Sequence, residues 1–189
     1  FMNDDKKIPG GSELLNPQDL IANKLGVTYG AKVADLGCGG AGYFVMQCAQ
    51  IVGDSGVVYA IDILKNVLSN VETRAKLLGF KNIKTIWSNL EKPGATKINN
   101  EEMDFVLLIN ILFQNNDHLN ILKEATRITK HNGKLLIVDW KPGRFPIGPQ
   151  PDNKLSIEQL STLAQTLYLK IESQFNAGKF HYGAVLVKQ

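Results

Sequence analysis

The sequence predicts an α/β protein built on a doubly wound, mostly parallel seven-stranded sheet with an antiparallel C-terminal hairpin. Short runs rich in Val, Ile and Leu alternate with amphipathic segments along the chain. Such runs are typical of strands in a parallel sheet whose two faces are covered by helices, and right-handed crossovers make that sheet doubly wound. After the last amphipathic segment two strand-like runs follow each other directly, so the final strand must run antiparallel.

The predicted elements follow in a regular order. Asn16 before Pro17 is an N-cap followed by proline at the first helical position, and Gly26 ends this first helix. Asn132-Gly133 is a predicted turn before the fifth strand. The predicted strands cover residues 32–36, 57–61, 83–87, 103–109, 134–140, 169–175 and 182–187, and further helices cover 43–52, 64–78, 117–130 and a segment capped by Ser156.

Size and composition limit the class of protein. The chain has 189 residues, 44% of them hydrophobic and 21% charged, with a net charge of +3. These values fit one globular domain and exclude a disordered chain, so we expect an arm over residues 1–16 and a single domain over residues 17–189. Two cysteines and three histidines are too few for a disulfide scaffold or a zinc finger, and no metal is expected.

The distribution of charged and apolar residues argues against a nucleic-acid partner and a membrane span. Basic residues are scattered, so the sequence predicts no specific nucleic-acid partner. The longest apolar run is too short to cross a bilayer, and no signal-peptide pattern is present, so the expected location is the cytoplasm. The oligomeric state does not follow from the sequence.

A glycine-rich turn at the end of the first strand is the first candidate site. Asp35 is followed by Gly37, Gly39, Gly40 and Gly42, and glycines between a strand and a helix let a ligand approach the backbone closely. The spacing alone fits a dinucleotide turn and other nucleotide sites equally. Asp35 would repel a pyrophosphate, so it favours a neutral or cationic ligand. A tight structural turn is the alternative interpretation.

A second carboxylate ends the second strand. Asp62 occupies the place where an acidic side chain accepts hydrogen bonds from the ribose hydroxyls of an adenosine in doubly wound folds. A helix N-cap is an equally good explanation for an isolated aspartate there. The pair of acidic strand ends around a glycine turn is more informative than either alone.

Five segments, taken in order, resemble the successive motifs of class I S-adenosylmethionine-dependent methyltransferases, and most closely the small ones allied to ubiquinone/menaquinone-biosynthesis methyltransferases. The resemblance spans residues 17–140 and implies a Rossmann-like methyltransferase fold with S-adenosylmethionine as cofactor and S-adenosylhomocysteine as product. The segments are VADLGCGGAGYF (33–44), VVYAIDI (57–63), TIWSNLEK (85–92), MDFVLLINILF (103–113) and GKLLIVDW (133–140).

The resemblance implies a role for nine residues in cofactor binding. One group lies near the methionine part and the ribose, and another lies near the adenine. The first group is Asp35 at the amino group, Gly37, Cys38 and Gly39 along the glycine turn, Asp62 at the ribose hydroxyls and Asn110 beside the methyl donor. The second group is Ile63 on the adenine face, Asn89 as acceptor from the adenine amino group and Leu90 with its backbone N–H.

Two positions depart from the family pattern. Ala41 replaces the third glycine, which is displaced to Gly42, so a slightly reshaped turn is expected. Asn89 replaces a common aspartate but keeps an oxygen acceptor, and a plain turn residue is its alternative role. Asn110 is not followed by the two prolines that nucleic-acid and protein amino-methyltransferases carry there, which argues against those acceptors.

The acceptor side is less defined. We expect Phe113, Trp140 and the proline-rich loop 141–153 to wall an acceptor pocket. His118 is the best histidine candidate for a general base, although a surface histidine at a helix start explains it better. The predicted function is methyl transfer to a small-molecule acceptor. A noncatalytic S-adenosylmethionine-binding protein is one alternative, and a less favoured one is an NAD-dependent Rossmann oxidoreductase.

Overall fold

A computed structural model describes residues 12–150 and 154–189. Its centre is one sheet in the order β3-β2-β1-β4-β5-β7-β6. Neighbours among β1 to β5 are parallel, whereas β7 is antiparallel to both β5 and β6. The predicted fold class is confirmed, including its C-terminal hairpin. The strands are β1 Lys32–Leu36, β2 Val57–Asp62, β3 Ile83–Trp87, β4 Met103–Ile109, β5 Thr129–Trp140, β6 Leu169–Asn176 and β7 His181–Lys188.

Helices cover both faces of this sheet. A π-helix, Asp19–Leu25, shares one apolar core with α1 and α2, and α3 and α4 share the core on the opposite face. The helices are α1 Tyr43–Val52, α2 Lys65–Leu77, α3 His118–Ile128 and α4 Ile157–Thr166, with short 3-10 helices at Ser12–Leu14 and Leu112–Gln114. Among the residues that the structure describes, none of these helices has the length and apolar character needed to cross a membrane.

The predicted helix ends are explained by local hydrogen bonds. The Asn16 side chain accepts a hydrogen bond from the Asp19 N–H at 3.1 Å, and Gly26 ends the π-helix with φ of 77°. Ser156 and Gln159 form a reciprocal capping box at the start of α4. The N-cap of the first helix and the cap of α4 are therefore confirmed.

One predicted boundary is wrong. Asn132-Gly133 does not separate α3 from the fifth strand, because β5 already begins at Thr129 and runs through both residues. Asn132 has φ of 61°, and the pairing with β4 shifts register between Met103 and Phe105. The left-handed residue is therefore absorbed as an irregularity within a long strand rather than used as a turn.

The described part of the predicted arm packs against the domain. Leu15 is only 8% exposed and belongs to the core on the α1 face. The Ser12 hydroxyl lies 3.4 Å from the Asn110 side-chain nitrogen, across the end of β4. Residues 1–11 lie outside the described residues, so the rest of the arm stays a prediction.

The strand order creates a natural binding crevice. β1 lies between β2 and β4, so the chain leaves the carboxyl ends of β1 and β4 in opposite directions. In open α/β sheets, ligands bind at the point where the strand order reverses in this way. Asp35 in β1 and Asn110 directly after β4 are located at this point.

Candidate functional site

A cavity of about 370 Å³ opens at the carboxyl ends of the central strands. It brings together six of the nine residues predicted for the cofactor, namely Gly37, Gly39, Asp62, Ile63, Asn89 and Leu90. The other three, Asp35, Cys38 and Asn110, do not line the cavity but are buried at the same edge of the sheet. The segments that follow β1, β2, β3 and β4 thus converge on a single cavity.

The glycine turn after β1 requires glycine at specific positions. Gly37 has φ of 82°, and a β-carbon there would overlap the Ile111 side chain from the turn after β4. Gly39 has φ of 66° but faces open space. A valine at Gly37 would therefore disrupt the protein itself before it met any ligand. Because Gly39 also has a positive φ, substitution of the neighbouring aspartates is a cleaner test of binding.

Asp62 organises the loop that follows β2. Its Oδ1 accepts a hydrogen bond from the Leu64 N–H at 2.9 Å, and its Oδ2 accepts one from the Gly39 N–H at 3.3 Å. Asp62 therefore links the glycine turn to the second strand end, and it is not the N-cap of α2, which is Leu64. A carboxylate has about four acceptor positions, so Asp62 can still accept from two hydroxyl groups.

Asp35 is a buried carboxylate with an unused acceptor. It is 2% exposed, and its Oδ2 has no hydrogen-bond partner among the residues that the structure describes. Burial, together with the nearby charge of Asp62, raises the pKa of Asp35 to about 7. Burial disfavours the ionised form of this carboxyl group. A cationic ligand group would stabilise that form most, so Asp35 favours a ligand that carries a positive charge.

Trp140, His181 and Tyr182, on β5 and β7, also carry a buried polar atom without a partner among the described residues, but none of them lines the cavity. Two further unpaired atoms within the described ranges lie at or next to the cavity. They are the Ser88 hydroxyl, on a residue that lines the cavity, and Oδ1 of Asn110. Both residues are 2% exposed. Buried polar groups are nearly always paired in folded proteins, so three unpaired groups at or next to one cavity, with that of Asp35, indicate a site built for a polar ligand.

The rim of the cavity next to β2 and β3 is apolar. Ile63 and Leu64 are 51% and 54% exposed and line the cavity. The Ile63 carbonyl accepts a hydrogen bond from the Trp87 indole at 2.7 Å, which fixes this loop against β3. Asn89 Oδ1 accepts from the Glu91 N–H at 2.9 Å, so this side chain forms a turn as well as lining the cavity.

Cys38 has a structural position. Its backbone N–H donates to the Ile61 carbonyl at 3.0 Å, and its side chain is buried. Burial and the nearby carboxylates raise the pKa of the Cys38 thiol well above its usual range. Cys48 is buried in α1 and its thiol pKa is raised for the same reasons. Both thiols are therefore protonated and poor nucleophiles at neutral pH.

Sequence reasoning missed half of the cavity wall. Leu64 and Val67 follow the second motif, and Ser88 precedes Asn89 in the third, so their proximity to predicted residues was a usable signal. Ile111, Gln114 and Asn115 lie in an irregular turn, and neither periodicity nor a motif singles them out. The missed lining residues are Leu64, Val67, Ser88, Ile111, Gln114 and Asn115.

The predicted acceptor wall is closed in this structure. Trp140 is 1% exposed and Phe113 is 8% exposed, with their rings 6.4 Å apart in an edge arrangement. Gly148 of the loop after β5 lies so close to the Trp140 ring that a β-carbon would overlap it. The described part of the predicted loop, residues 141–150, thus packs onto Trp140 and leaves neither ring as an open wall.

The histidines do not reach the cavity. His118 Nε2 lies 3.0 Å from the Leu112 carbonyl, which agrees with a histidine that stabilises a helix start. His181 is paired with Trp140 across β5 and β7, their rings 4.3 Å apart, as expected for cross-strand packing. Burial and the nearby Lys141 and Lys154 lower the pKa of His181 to about 4.

The fold and cavity define an α/β domain with a cavity for a polar ligand at its topological switch point. A sequence profile of the methyltransferase domain family matches residues 28–182. The chain therefore belongs to the methyltransferase domain family, which confirms the resemblance seen in the sequence. The predicted cofactor, S-adenosylmethionine, is confirmed at the level of this family, and an NAD-dependent oxidoreductase gains no support.

Individual relatives agree with this assignment. The chain is similar to the demethylmenaquinone methyltransferase of Bacillus pumilus (strain SAFR-032), with 32% identity over 123 residues, 65% of this chain and 50% of that protein. It thus spans about half the length of the curated relatives it matches.

Solved structures extend the likeness to nearly the whole chain. A SAM-dependent methyltransferase from Aquifex aeolicus superposes with a TM-score of 0.84 and 25% identity, covering 96% of this chain and 94% of that one. The [4+2]-cyclase SpnF shares the fold, with a TM-score of 0.76 at 12% identity over 90% of this chain and 79% of that one.

Proposed function

We propose that this chain binds S-adenosylmethionine in the cavity at the carboxyl ends of β1 to β4 and transfers its methyl group to a small molecule. The observation that carries this proposal is Asp35, a buried carboxylate with an unpaired oxygen and a pKa raised to about 7. The amino group of the methionine part is a cation that would satisfy it. No neutral ligand would compensate its burial equally well.

The remaining residues fit the same ligand. Asp62 lines the cavity and can accept from the ribose hydroxyls, and the exposed side chains of Ile63 and Leu64 offer an apolar surface for a purine. The unpaired Ser88 hydroxyl and Asn110 amide oxygen can take further polar groups. When bound, S-adenosylmethionine supplies an electrophilic methyl group on its sulfonium. The protein's part is to hold it, exclude water and place the acceptor in line.

The acceptor is proposed to be a small molecule. The curated relatives of this chain include demethylmenaquinone methyltransferases, so a demethylated aromatic quinol is the first acceptor to test. No side chain of the described residues is assigned as general base, because the sulfonium is already activated and an acceptor that ionises easily needs none. Proposed location and partners are those expected from the sequence: cytoplasm, and no specific nucleic acid.

A noncatalytic S-adenosylmethionine-binding protein is the second candidate function. The buried positions of Phe113 and Trp140 favour it, since the predicted acceptor wall is closed. The [4+2]-cyclase SpnF also shows that this fold occurs in proteins named for other chemistry. Turnover separates the two candidates, because a binding protein would hold the cofactor without releasing S-adenosylhomocysteine.

Calorimetric titration with S-adenosylhomocysteine tests the site. Asp62→Ala should weaken binding by about 1.5–3 kcal/mol, the range for hydrogen bonds to a charged group. Asp54→Ala is the matched control, because Asp54 is exposed at the far end of the sheet, after α1. Unchanged affinity in folded Asp62→Ala would remove Asp62 from the site. Release of S-adenosylhomocysteine with quinol, phenol, amine and thiol acceptors then identifies the acceptor class.

A further inference from the structure

The turn after β4, residues 110–115, forms one wall of the cofactor cavity. Ile111, Gln114 and Asn115 line that cavity, and Ile111 contacts the glycine turn so closely that Gly37 must lack a side chain. Asn110, the first residue of the turn, adopts φ of 56°. A non-glycine residue in the left-handed region costs free energy, so the rest of the structure must hold this turn in place.

Most of the bonds that hold the turn are local in sequence. The Gln114 side chain donates to the Asn110 carbonyl at 2.6 Å, and the Asn115 side chain donates to the Ile111 carbonyl at 2.7 Å. His118, at the start of α3, contacts the Leu112 carbonyl. These bonds close the turn on itself but do not fix its position relative to the sheet.

Two kinds of hydrogen bond link the turn to β5: the Asn110 N–H donates to the Val138 carbonyl at 2.8 Å, and Asp139 supplies the side-chain link further along the turn. Asp139 is the penultimate residue of β5 and is fully buried. Its Oδ2 accepts hydrogen bonds from the backbone N–H groups of Leu112 and Phe113 at 3.0 and 3.2 Å, and its Oδ1 accepts from the Trp140 N–H at 2.7 Å. One carboxylate therefore joins the first turn of the 3-10 helix to the end of a neighbouring strand.

The buried surroundings of Asp139 disfavour the ionised form of its carboxyl group. Burial raises the pKa of Asp139 to about 7, although its three hydrogen bonds and the Lys154 ammonium act in the opposite direction. Its charge in turn helps to raise the pKa of Tyr182, after the larger effect of burial. A buried charged group is a weak source of stability, so its presence beside the cavity calls for another role.

We propose that Asp139 is a positioning residue that fixes the turn 110–115 as the wall against which the amino-acid part of S-adenosylmethionine is held. This inference rests on the proposed function. Because Ile111 lies against Gly37, the turn faces the end of the cavity next to Asp35, whereas Asp62 and Ile63 lie on the side assigned to the adenosine. Displacing the turn should therefore affect the two parts of the ligand unequally.

Two ligands measure this difference. S-adenosylhomocysteine has the amino-acid part, and 5′-methylthioadenosine has the adenosine and the thioether without it. In the folded variant Asp139→Leu, affinity for S-adenosylhomocysteine should fall tenfold or more, and affinity for 5′-methylthioadenosine should stay within twofold. Amide exchange at Leu112 and Phe113 should accelerate. In Asp139→Asn, whose side-chain oxygen can still accept from both groups, their protection and most of the affinity should be retained.

Glu124→Leu is the matched control. Glu124 is also a fully buried carboxylate that holds two backbone N–H groups of the connection between β3 and β4, those of Gly94 and Thr96, and neither of these two residues lines the cavity. Its substitution should lower the stability and leave the ratio of the two affinities unchanged.

Three results would overturn the inference. One is wild-type affinity in folded Asp139→Leu, and another is an equal loss for both ligands. The third is loss of S-adenosylhomocysteine binding in Asp139→Asn while Leu112 and Phe113 stay protected. If Asp139→Leu does not fold, Asp139→Ala makes the same comparison without added bulk, and Asp139→Asn still provides the third result. Failure of the wild-type protein to bind S-adenosylhomocysteine would instead refute the proposed function.

Discussion

Two buried carboxylates in this protein have opposite surroundings. Glu124 in α3 is fully buried, and it accepts hydrogen bonds from Arg127 at 2.8 and 2.9 Å and from the Gly94 N–H at 2.6 Å. Asp35 in β1 is almost as deeply buried, but one of its oxygens has no partner among the described residues. The first region is internally complete, and the second is complete only with a ligand.

The pKa values of the two groups express this difference. Burial alone raises the pKa of Glu124, but hydrogen bonds from Arg127, Thr96 and Gly94 outweigh it and hold the pKa at about 2. Burial and the charge of Asp62 raise the pKa of Asp35 to about 7. Glu124 therefore stabilises the fold in its ionised form, whereas Asp35 in its ionised form destabilises the ligand-free protein.

The largest expected effect is on Glu124. Glu124→Leu should lower the free energy of unfolding by about 3 kcal/mol, since it leaves two backbone N–H groups without their acceptor and removes the carboxylate partner of Arg127. Denaturant titration at pH 7 measures the loss. Glu172→Ala, which breaks an exposed ion pair with Lys134, should cost less than about 1 kcal/mol. Similar losses in the two variants would contradict the structural role of Glu124.

Asp35→Asn should have the opposite effect to Glu124→Leu: it should preserve the stability of the ligand-free protein and weaken ligand binding. A carboxyl whose pKa is raised contributes stability below pH 3.8, and that contribution is lost as pH rises through about 7. Asparagine has no charge to bury, so the ligand-free variant should be at least as stable as the wild type at pH 8. Its affinity for S-adenosylhomocysteine should fall by about 1.5–3 kcal/mol, because the ammonium loses a charged partner. Wild-type affinity in this variant would mean that Asp35 does not contact the ligand.

Cofactor affinity should also depend on pH. The ligand ammonium binds the ionised form of Asp35, so affinity should rise with pH through about 7 and become constant above it. Between pH 6 and pH 8 the increase should be about tenfold. Calorimetry at pH 6 in buffers of different ionisation enthalpy should detect proton release on binding. Asp35→Asn should remove most of this dependence, and an unchanged pH profile in that variant would assign it to another group.

The sequence was sufficient for the parts of the site that follow regular strands. Asp35, Asp62 and Asn89 each occur at or just after the end of a parallel strand, where strand pattern and motif spacing indicate the same edge of the sheet. Gly37 was predicted from its motif, but the reason for it was not. It avoids Ile111, a contact between segments 74 positions apart that no local pattern reveals.

Irregular and buried segments could not be predicted in the same way. The turn 110–115 depends on Asp139 in another strand, and the sequence shows only that Asp139 precedes Trp140 at a strand end. The closed packing of Trp140 depends on Gly148 in a loop without periodicity. The start of β5 was missed because Asn132-Gly133 has the composition of a turn, whereas Thr129 and Lys134, on either side of it, both pair with β4.

Asn89 is intermediate between the two carboxylates, and its substitution should have the smallest effect. Its Oδ1 already accepts from the Glu91 N–H, yet the residue lines the cavity. A neutral acceptor contributes about 0.5–1.5 kcal/mol per hydrogen bond, and one shared with the backbone falls at the lower end. Asn89→Ala should therefore weaken binding of S-adenosylhomocysteine about threefold, and Asn89→Asp, which keeps the acceptor, should weaken it less. S-inosylhomocysteine, which has a carbonyl in place of the adenine amino group, is the discriminating ligand, because Asn89→Ala should not weaken its binding. An equal loss for both ligands would show that Asn89 acts through its turn, and the acceptor for the adenine amino group would then have to be sought among the neighbouring residues Ser88 and Leu90.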